Sequence, residues 1–220
     1  MSENNSQYDA IVIGAGVAGL YQLFKLRQLK LKALVIEAGD NVGGTWYWNR
    51  YPGARFDSES WSYGYSFSKE LFEEWDWPEH FAAQPDTLRY LNYVADKFDF
   101  RRDIKFDRRV EACVFDQQNN LWTVRTNTKE EYVARFLITA LGPLSAFTLP
   151  NIEGRETFKG PAYHTARWPH EEVDFSGKRV GIIGTGACAI QTIQTIAKDV
   201  AHLTVFQRSP NWAAPLNNSV

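Results

Sequence analysis

The chain has 220 residues, a formal charge of −2 at neutral pH and a 44% share of hydrophobic residues. The balanced charge argues against a nucleic-acid partner, and no apolar stretch reaches the ~20 residues that a membrane span needs. The polar residues 1–6 contain no secretory signal, so we expect a cytoplasmic protein without a membrane partner.

The chain begins with the signature of a dinucleotide-binding turn. An apolar run at residues 8–13 predicts a buried parallel strand, and Gly14, Gly16 and Gly19 follow it with G-x-G-x-x-G spacing. Gly14 permits a tight turn, Gly16 lets a pyrophosphate approach the backbone, and Gly19 lets the next helix pack closely. The apolar stripe of residues 20–26 predicts that helix, whose N-terminus attracts negative charge.

A second apolar strand, residues 33–36, ends in Glu37, whose carboxylate is placed to accept a hydrogen bond from a ribose hydroxyl. A further glycine-rich run follows, made of Gly43, Gly44, Thr45, Trp46 and Tyr47. Its two glycines let the main chain approach phosphates, and Trp46 offers a flat apolar wall to a ligand. The alternative is that these aromatic residues fill a core beneath a long loop.

The middle of the chain predicts a helix and several strands that support the nucleotide sites. Apolar residues at every third or fourth position predict a helix over residues 86–98, entered after Pro85. Two predicted strands, 110–115 and 121–126, are joined by a polar turn. Residues 135–140 predict another buried strand, which leads out of the first domain.

Downstream lies a run with five fixed identities, namely Phe158, Gly160, His164, Trp168 and Pro169. They match the pattern F-x-G-x-x-x-H-x-x-x-W-P at every position. Five identities at fixed offsets rarely coincide by chance, and the flanking glycine-rich turns make coincidence rarer still. The alternative is an irregular linker in which Trp168 packs and Pro169 stiffens the chain.

A second dinucleotide turn follows this run. Residues 178–183 predict a strand, and Gly184, Thr185 and Gly186 come directly after it. Ala189 replaces the third glycine, which adds only one methyl group at the point where helix and strand pack. Strand, turn and the helix that follows predict a second nucleotide site.

The strand after the second turn, residues 203–206, does not end in an acid. It continues into Arg208, which can pair with a 2′-phosphate through charged hydrogen bonds, whereas an acid would repel that phosphate. The sequence therefore predicts NADPH rather than NADH at this site. A solvated Arg208 without a ligand is the alternative.

With a dinucleotide turn on either side, the F-x-G-x-x-x-H-x-x-x-W-P run resembles that of the type I Baeyer–Villiger monooxygenases, and the resemblance covers essentially the whole chain. It implies an α/β, Rossmann-like flavoprotein with two dinucleotide-binding domains, FAD in the first and NADPH in the second. It also implies that one oxygen atom of O₂ is inserted next to a ketone carbonyl through a C4a-peroxyflavin, giving an ester or lactone. No metal is expected.

The resemblance also implies roles for single residues. The run 43–47 belongs to the stretch that wraps FAD. Asp57 lies near the flavin and orients a catalytic arginine that we expect beyond Val220, although Asp57 could instead cap a local turn. His164 couples the position of the NADPH domain to the flavin site, and we do not expect it to be the general base.

We expect three parts: an FAD-binding domain over residues 1–145, a linker with the motif over 146–172, and the start of an NADPH-binding domain over 173–220. A doubly wound domain needs more strands than the two predicted in this last part. The expectation is therefore the front part of a monooxygenase, whether truncated, a fragment or one piece of a split enzyme. Its partners would be a small ketone, O₂ and the missing C-terminal part.

Three other functions stay open. A flavin-containing N- or S-monooxygenase has a similar motif without the Trp-Pro ending and would oxidise an amine instead of a ketone. A catalytically silent FAD-binding fragment is the second, and a non-redox nucleotide-binding regulator, which the run 43–47 argues against, is the third. Cys113 and Cys188 form no C-x-x-C pair, which argues against the disulfide-reductase branch and predicts reduced thiols.

Overall fold

The computed structural model describes residues 6–215 and 217–218, which form two compact units. The first unit takes the described residues of 1–47 together with 88–145, and the second takes 48–87 together with those of 146–220. The three parts expected from the sequence, residues 1–145, 146–172 and 173–220, stay a prediction. Residues 48–87 group with the second of the two compact units. Residues 1–5, used above to argue against a secretory signal, lie outside the described part.

Strands and helices alternate at the two ends of the described chain, whereas its middle has four consecutive α-helices followed by four consecutive strands. The strands are β1 (Ser6–Ile13), β2 (Ala33–Ile36), β3 (Ile104–Lys105), β4 (Val110–Asp116), β5 (Leu121–Thr126), β6 (Glu131–Thr139), β7 (Arg179–Ile183) and β8 (His202–Phe206). The helices are α1 (Val17–Gln28), α2 (Thr45–Trp48), α3 (Ser60–Tyr63), α4 (Lys69–Glu74), α5 (Gln84–Lys97) and α6 (Ala187–Ile196). Single turns of 3₁₀ helix cover Arg101–Asp103, Arg155–Thr157 and Thr165–Arg167.

The first unit is built on a six-stranded sheet in the order β3-β2-β1-β6-β5-β4. β1 pairs in parallel with β2 and β6, so that Ile11 lies opposite Leu34 on one side and Leu137 on the other. β4, β5 and β6 form an antiparallel meander that returns the chain to β1. Because β1, β2 and β6 run in parallel, their carboxyl ends share one edge of the sheet, the usual place for a nucleotide site.

Apolar burial holds this sheet together. Ile11, Leu34, Ile36 and Val124 belong to one buried cluster, and every residue of β2 is buried. A strand covered on both faces needs apolar side chains throughout, which explains the continuous apolar runs in the sequence. α1 buries Leu20, Leu23 and Leu26, and each such side chain contributes roughly 1.5–3 kcal/mol of burial.

Arg27 holds the C-terminal end of α1 in place. Its guanidinium donates hydrogen bonds to the Asp103 carboxylate at 2.5 and 2.8 Å and to the Phe98 carbonyl oxygen at 2.7 Å. The charged group thereby joins α1 to the segment that follows α5. Since α1 begins at the first dinucleotide turn, this contact also helps to fix the direction in which the N-terminus of α1 points.

The second unit contains a two-stranded parallel sheet, in which Val180 of β7 lies opposite Leu203 of β8. α6 connects the two strands. Residues 48–87 add the short helices α3 and α4. Ser60, at the start of α3, connects this helix to residues 79–82 by hydrogen bonds. Its hydroxyl donates to the Glu79 carbonyl oxygen at 2.7 Å and accepts from the Ala82 N–H at 3.0 Å.

Most predicted elements are confirmed. β2 and β5 have the bounds expected from the sequence, and β1, β4, β6, β7, β8 and α6 differ from expectation only at their ends. α5 begins at Gln84, so Pro85 lies in its first turn, where its missing N–H removes no helical hydrogen bond. No sequence pattern predicted β3, α3 or α4. The same is true of α2, which replaces part of the expected long loop around residues 43–47.

Two kinds of feature are absent from the described residues. None of their helices is both long enough and apolar enough to cross a bilayer. Within the same residues, no group of three His, Cys, Asp or Glu side chains could hold a metal ion.

Candidate functional site

The first glycine-rich turn lies directly after β1 and is shaped by close backbone packing. Gly14 has φ +101° and donates its N–H to the Ile36 carbonyl oxygen at 2.8 Å. A Cβ atom on Gly14 would lie 2.7 Å from the Ala140 carbonyl oxygen, and one on Gly19 would lie 1.8 Å from the Gly14 oxygen. Gly19 therefore lets α1 pack against β1, as expected for the third glycine of the fingerprint.

Gly16 and Gly44 pack directly against each other beside the candidate nucleotide site. A Cβ atom on Gly16 would lie 3.2 Å from the Gly44 Cα, and one on Gly44 would lie 2.8 Å from the Gly16 Cα. The neighbouring Gly43 donates its N–H to the Ala15 carbonyl oxygen at 3.0 Å. These glycines thus allow two loops to meet as bare backbone, in addition to leaving room for a ligand.

Glu37 joins the end of β2 to both loops. Its carboxylate is 5% exposed, with Oε2 accepting from the Ala15 N–H at 2.6 Å and Oε1 accepting from the Gly39 N–H at 2.9 Å. A buried carboxylate needs such donors, because an unpaired charge in a low-dielectric environment is strongly destabilising. The sequence predicted only a ribose contact for Glu37. Its structural role depends on residues distant in the sequence and was missed.

Arg101 anchors the loop of residues 39–44 to α5. Its guanidinium donates to Asn41 Oδ1 at 2.9 Å, to Asn92 Oδ1 at 2.6 Å and to Asp96 Oδ1 at 2.5 Å. Asn41 Oδ1 also accepts from the Val42 N–H at 2.8 Å. The planar guanidinium can hold three acceptors at once, which restrains the backbone just ahead of Gly43 and Gly44.

Thr45 and Trp46 begin the short helix α2. Trp46 and Tyr47 are each 7% exposed, so both aromatic side chains are largely buried. The Tyr47 hydroxyl donates to Asp40 Oδ1 at 2.8 Å, and the Tyr47 ring lies where a Cβ on Gly39 would be. Part of this run therefore fills a core, as the alternative interpretation held. A contact between Trp46 and a flavin stays a prediction.

The second glycine-rich turn, after β7, is open. Gly184 has φ +104° and donates its N–H to the Phe206 carbonyl oxygen at 2.9 Å. Gly186 caps the N-terminus of α6 with φ −70°, which any residue can adopt. A Cβ on either glycine would meet no atom of the described residues within 4 Å. Neither packing nor backbone conformation accounts for glycine at position 186.

The end of β8 lies beside this second turn. Gln207 donates from Nε2 to the Thr185 hydroxyl at 3.0 Å, which connects the end of the strand to the middle of the turn. Arg208 follows and is exposed. The structure thus leaves the Arg208 guanidinium accessible to a ligand, and the predicted phosphate contact stays a prediction.

His164 of the motif caps a short turn. Its Nδ1 accepts the Ala166 N–H at 3.1 Å, at the start of the 3₁₀ turn Thr165–Arg167. The ring also packs against Phe147, with 4.7 Å between centroids. The neighbouring Arg167 guanidinium lies over the Phe147 and Trp48 rings, 4.9 and 5.3 Å from their centroids. Because Nδ1 accepts a backbone N–H, His164 acts here as a structural cap, and its expected role in coupling the NADPH domain to the flavin site stays a prediction.

The other motif residues lie in varied surroundings. Phe158 is exposed, and its ring occupies the space that a Cβ on Gly160 would need. Trp168 packs between Tyr163 and Phe175, with centroids 5.3 and 6.1 Å away. Trp168 and Pro169 also line an open cavity of about 450 Å³ within the second unit.

Asp57 is exposed in the second unit. Burial alone therefore does not require Asp57 to have a partner. The adjacent Arg55 is engaged by an ion pair with Glu79 at 3.0 Å. A contact between Asp57 and a catalytic arginine stays a prediction.

The family profile described as pyridine nucleotide-disulphide oxidoreductase matches residues 11–219, nearly the whole chain. The chain belongs to this family. Cys113 and Cys188 are both free thiols.

Several monooxygenases are similar to this chain. The 2-oxo-Δ3-4,5,5-trimethylcyclopentenylacetyl-CoA monooxygenase of Pseudomonas putida is 51% identical over 96% of the chain and 40% of its own length. The methyl acetate-forming acetone monooxygenase of Gordonia sp. strain TY-5 is 50% identical over 96% and 39%. A phenazine N-monooxygenase of Lysobacter antibioticus is 45% identical over 98% and 40%. The chain thus spans about two fifths of the length of these relatives.

A solved structure gives the same relationship. An oxidized steroid monooxygenase bound to NADP superimposes with a TM-score of 0.93 at 54% identity, over 97% of this chain and 41% of that one. The Rossmann-like α/β fold expected from the sequence is confirmed, and so is the resemblance to the N-terminal part of the Baeyer–Villiger monooxygenases.

Replacing Glu37 by Gln should lower the free energy of unfolding by about 1–3 kcal/mol. The amide has one acceptor oxygen instead of two, so either the Ala15 or the Gly39 N–H faces an NH₂ group. Chemical denaturation of the purified chain measures the effect. Glu59→Gln, which changes an exposed carboxylate, is the control and should leave stability within about 0.5 kcal/mol. Equal stability of both variants would contradict the structural role of Glu37.

Proposed function

We propose that the whole protein is an FAD- and NADPH-dependent monooxygenase that inserts one oxygen atom of O₂ next to a ketone carbonyl, giving an ester or lactone. The observation that carries this proposal is the F-x-G-x-x-x-H-x-x-x-W-P run between two dinucleotide turns. Similarity to an acetone monooxygenase that forms methyl acetate supports the reaction, and similarity to a steroid monooxygenase bound to NADP supports the second cofactor.

The first turn fits FAD. α1 begins there without an acidic residue in its first turn, so its free N–H groups can receive a pyrophosphate. Gly16 and Gly44 leave backbone rather than side chains around that position. Each Glu37 oxygen already accepts one N–H, and each retains a second lone pair for a ribose hydroxyl. The two protein hydrogen bonds orient the carboxylate for that contact.

The second turn fits NADPH. Gly186 leaves open space at the N-terminus of α6, which is where a pyrophosphate would bind. The first turn of α6 carries no acid, and Arg208 supplies positive charge beside it for a 2′-phosphate. Gln207 holds Thr185 and so keeps the turn close to the end of β8.

The cofactors, when bound, supply hydride transfer and activation of O₂, which side chains cannot supply. The chain binds and orients them through the two turns. We assign Asp57, an exposed carboxylate, to orienting a guanidinium from a later part of the protein during oxygen transfer. We assign His164 to fixing the turn that presents Arg167 to two aromatic rings, because its Nδ1 caps that turn.

A pair of matched variants tests the two cofactor sites separately. Gly16→Val presses a branched side chain against the Gly44 backbone and so displaces the two loops that would hold the FAD pyrophosphate; the purified chain should therefore lose its flavin. Gly186→Val makes the same change at the equivalent position of the open second turn, and should keep the flavin but lose affinity for NADP⁺. Flavin content, visible spectra and calorimetric titration with NADP⁺ measure both. A Gly16→Val protein with the parent's flavin content would refute the first assignment.

Arg208→Ala in the whole protein should raise KM for NADPH much more than KM for NADH. Loss of one charged hydrogen bond to the 2′-phosphate corresponds to about 1.5–3 kcal/mol. Steady-state kinetics with each nucleotide give the ratio. Lys198→Ala removes another exposed cation from the same unit and should leave the ratio unchanged. An equal effect of Arg208→Ala on both nucleotides would show that Arg208 does not contact the 2′-phosphate.

N-oxygenation is a second candidate, favoured by the 45% identity to a phenazine N-monooxygenase. That relative is similar over nearly the same residues as the ketone-oxidising ones, so the described chain does not separate the two reactions by itself. A variant of the exposed Asp57 can distinguish the two reactions. Orientation of a guanidinium matters when an oxyanion forms on an attacked carbonyl.

We expect the whole protein to convert a cyclic ketone to its lactone faster than it converts phenazine to its N-oxide. Product analysis by mass spectrometry with NADPH and O₂ compares the two. Asp57→Ala should slow lactone formation while leaving flavin reduction by NADPH intact, whereas His164→Ala should slow reduction itself. Stopped-flow absorbance separates these steps. If the N-oxide is the main product, the ketone reaction is refuted and N-oxygenation is the function of the protein.

A further inference from the structure

Residues 51–54 of the second unit form a tight turn. In the sequence, this turn follows the glycine-rich run 43–47 and precedes Asp57. The Ala54 N–H donates to the Tyr51 carbonyl oxygen at 3.0 Å, which closes a four-residue turn. Pro52 and Gly53, with φ +79° at the glycine, occupy its two central positions, as a type II turn requires. The turn is well packed, since Tyr51, Ala54 and the following Phe56 are 7%, 4% and 5% exposed.

The Gln191 side chain of α6 holds this turn through both of its polar atoms. Oε1 accepts the Tyr51 hydroxyl at 2.8 Å and lies 3.4 Å from the Arg55 N–H. Nε2 donates to the Arg55 carbonyl oxygen at 3.0 Å. The amide therefore pairs with both backbone groups of one residue, much as a neighbouring strand would.

Gly53 brings the turn against the backbone of the same helix. A Cβ at this position would lie 2.6 Å from the Gln191 carbonyl oxygen and 2.2 Å from the Thr195 hydroxyl. The Tyr51 phenol also interacts with Cys188 in the first turn of α6, and burial, followed by this contact, raises the Tyr51 pKa above its usual value. The Gln191 hydrogen bonds and the close approach of Gly53 to the helix thus attach the turn to α6.

The position of α6 gives these contacts a functional meaning. Gly186, the residue that the proposed function assigns to the NADPH pyrophosphate, caps the N-terminus of α6. The turn of residues 51–54, in contrast, is followed within three residues by Asp57. If nucleotide binding displaces α6, the side chain of Gln191 would therefore transmit that displacement to the segment that contains Asp57.

We propose that Gln191 is a positioning residue that fixes the segment leading to Asp57 to the helix of the second dinucleotide turn, so that nucleotide binding orders that segment. The inference rests on the proposed function for the identity of the nucleotide. Only an amide of this length serves, because it must accept from Tyr51 and donate to Arg55 at once. A carboxylate in the same place would accept from Tyr51 but repel the Arg55 carbonyl oxygen.

Hydrogen exchange read by mass spectrometry tests this in the whole protein, with NADP⁺ as the probe. The key variant is Gln191→Glu. Its matched control is Gln194→Glu, which adds the same charge to an exposed position of the same helix. Without nucleotide, Gln191→Glu should speed exchange in residues 52–57 by about tenfold, and the control should leave it unchanged.

The response to NADP⁺ separates positioning from simple stabilisation. In the parent and the control, NADP⁺ should slow exchange both in residues 184–189 and in residues 52–57. In Gln191→Glu it should slow exchange only in residues 184–189, because the connection to the turn is cut. A purely structural role would raise exchange without removing the response in residues 52–57, and that result would overturn the proposal.

Tyr51→Phe provides a second variant if Gln191→Glu folds poorly. It removes one hydroxyl and should speed exchange in residues 52–57 by a smaller factor. Unchanged exchange in both variants would overturn the proposal, whatever NADP⁺ does. A parent chain that shows no response to NADP⁺ anywhere would refute the second nucleotide site, and would also overturn the nucleotide-linked role of Gln191.

Discussion

The first candidate site depends on how the backbone of Ala15 is held. Its N–H donates to the buried Glu37 carboxylate and its carbonyl oxygen accepts from Gly43, so two distant loops meet at one peptide. Around that point, Gly14, Gly16, Gly19 and Gly44 bring backbones closer than side chains would permit. The apolar sheet beneath supplies the stability, but this small set of polar contacts decides the shape of the turn.

The second turn contrasts with the first. Its two leading glycines have open space where a Cβ would lie, whereas the corresponding glycines of the first turn are in tight contact with other backbone. The difference follows from the surroundings. In the first unit, β6 and the loop of residues 39–44 pack around the turn, while the described part of the second unit has only the pair β7 and β8. The same sequence pattern thus produces one turn shaped by packing and one shaped mainly by its own backbone.

Much of the fold could be predicted because its signals are local. The apolar runs of β1 and β2, the spacing of Gly14 and Gly16, and the polar turn between β4 and β5 are all readable within about ten residues. The grouping of residues 48–87 with the second unit was not, because it depends on contacts such as that between Tyr51 and Gln191, which are 140 positions apart. The double acceptor role of Glu37 was hidden for the same reason, since an acid at a strand end carries no sign of its backbone partners.

The way Arg101, Asn41 and Glu37 hold the loop of residues 39–44 has a consequence for how the two ligands behave over many reaction cycles. A loop already ordered in the folded chain loses little further conformational entropy when a ligand arrives, and such preorganisation favours tight, slowly released binding. An open turn with few restraints favours weaker binding and faster exchange. We therefore expect FAD to remain in the first turn as a resident prosthetic group, while the nucleotide of the second turn exchanges with the surrounding pool.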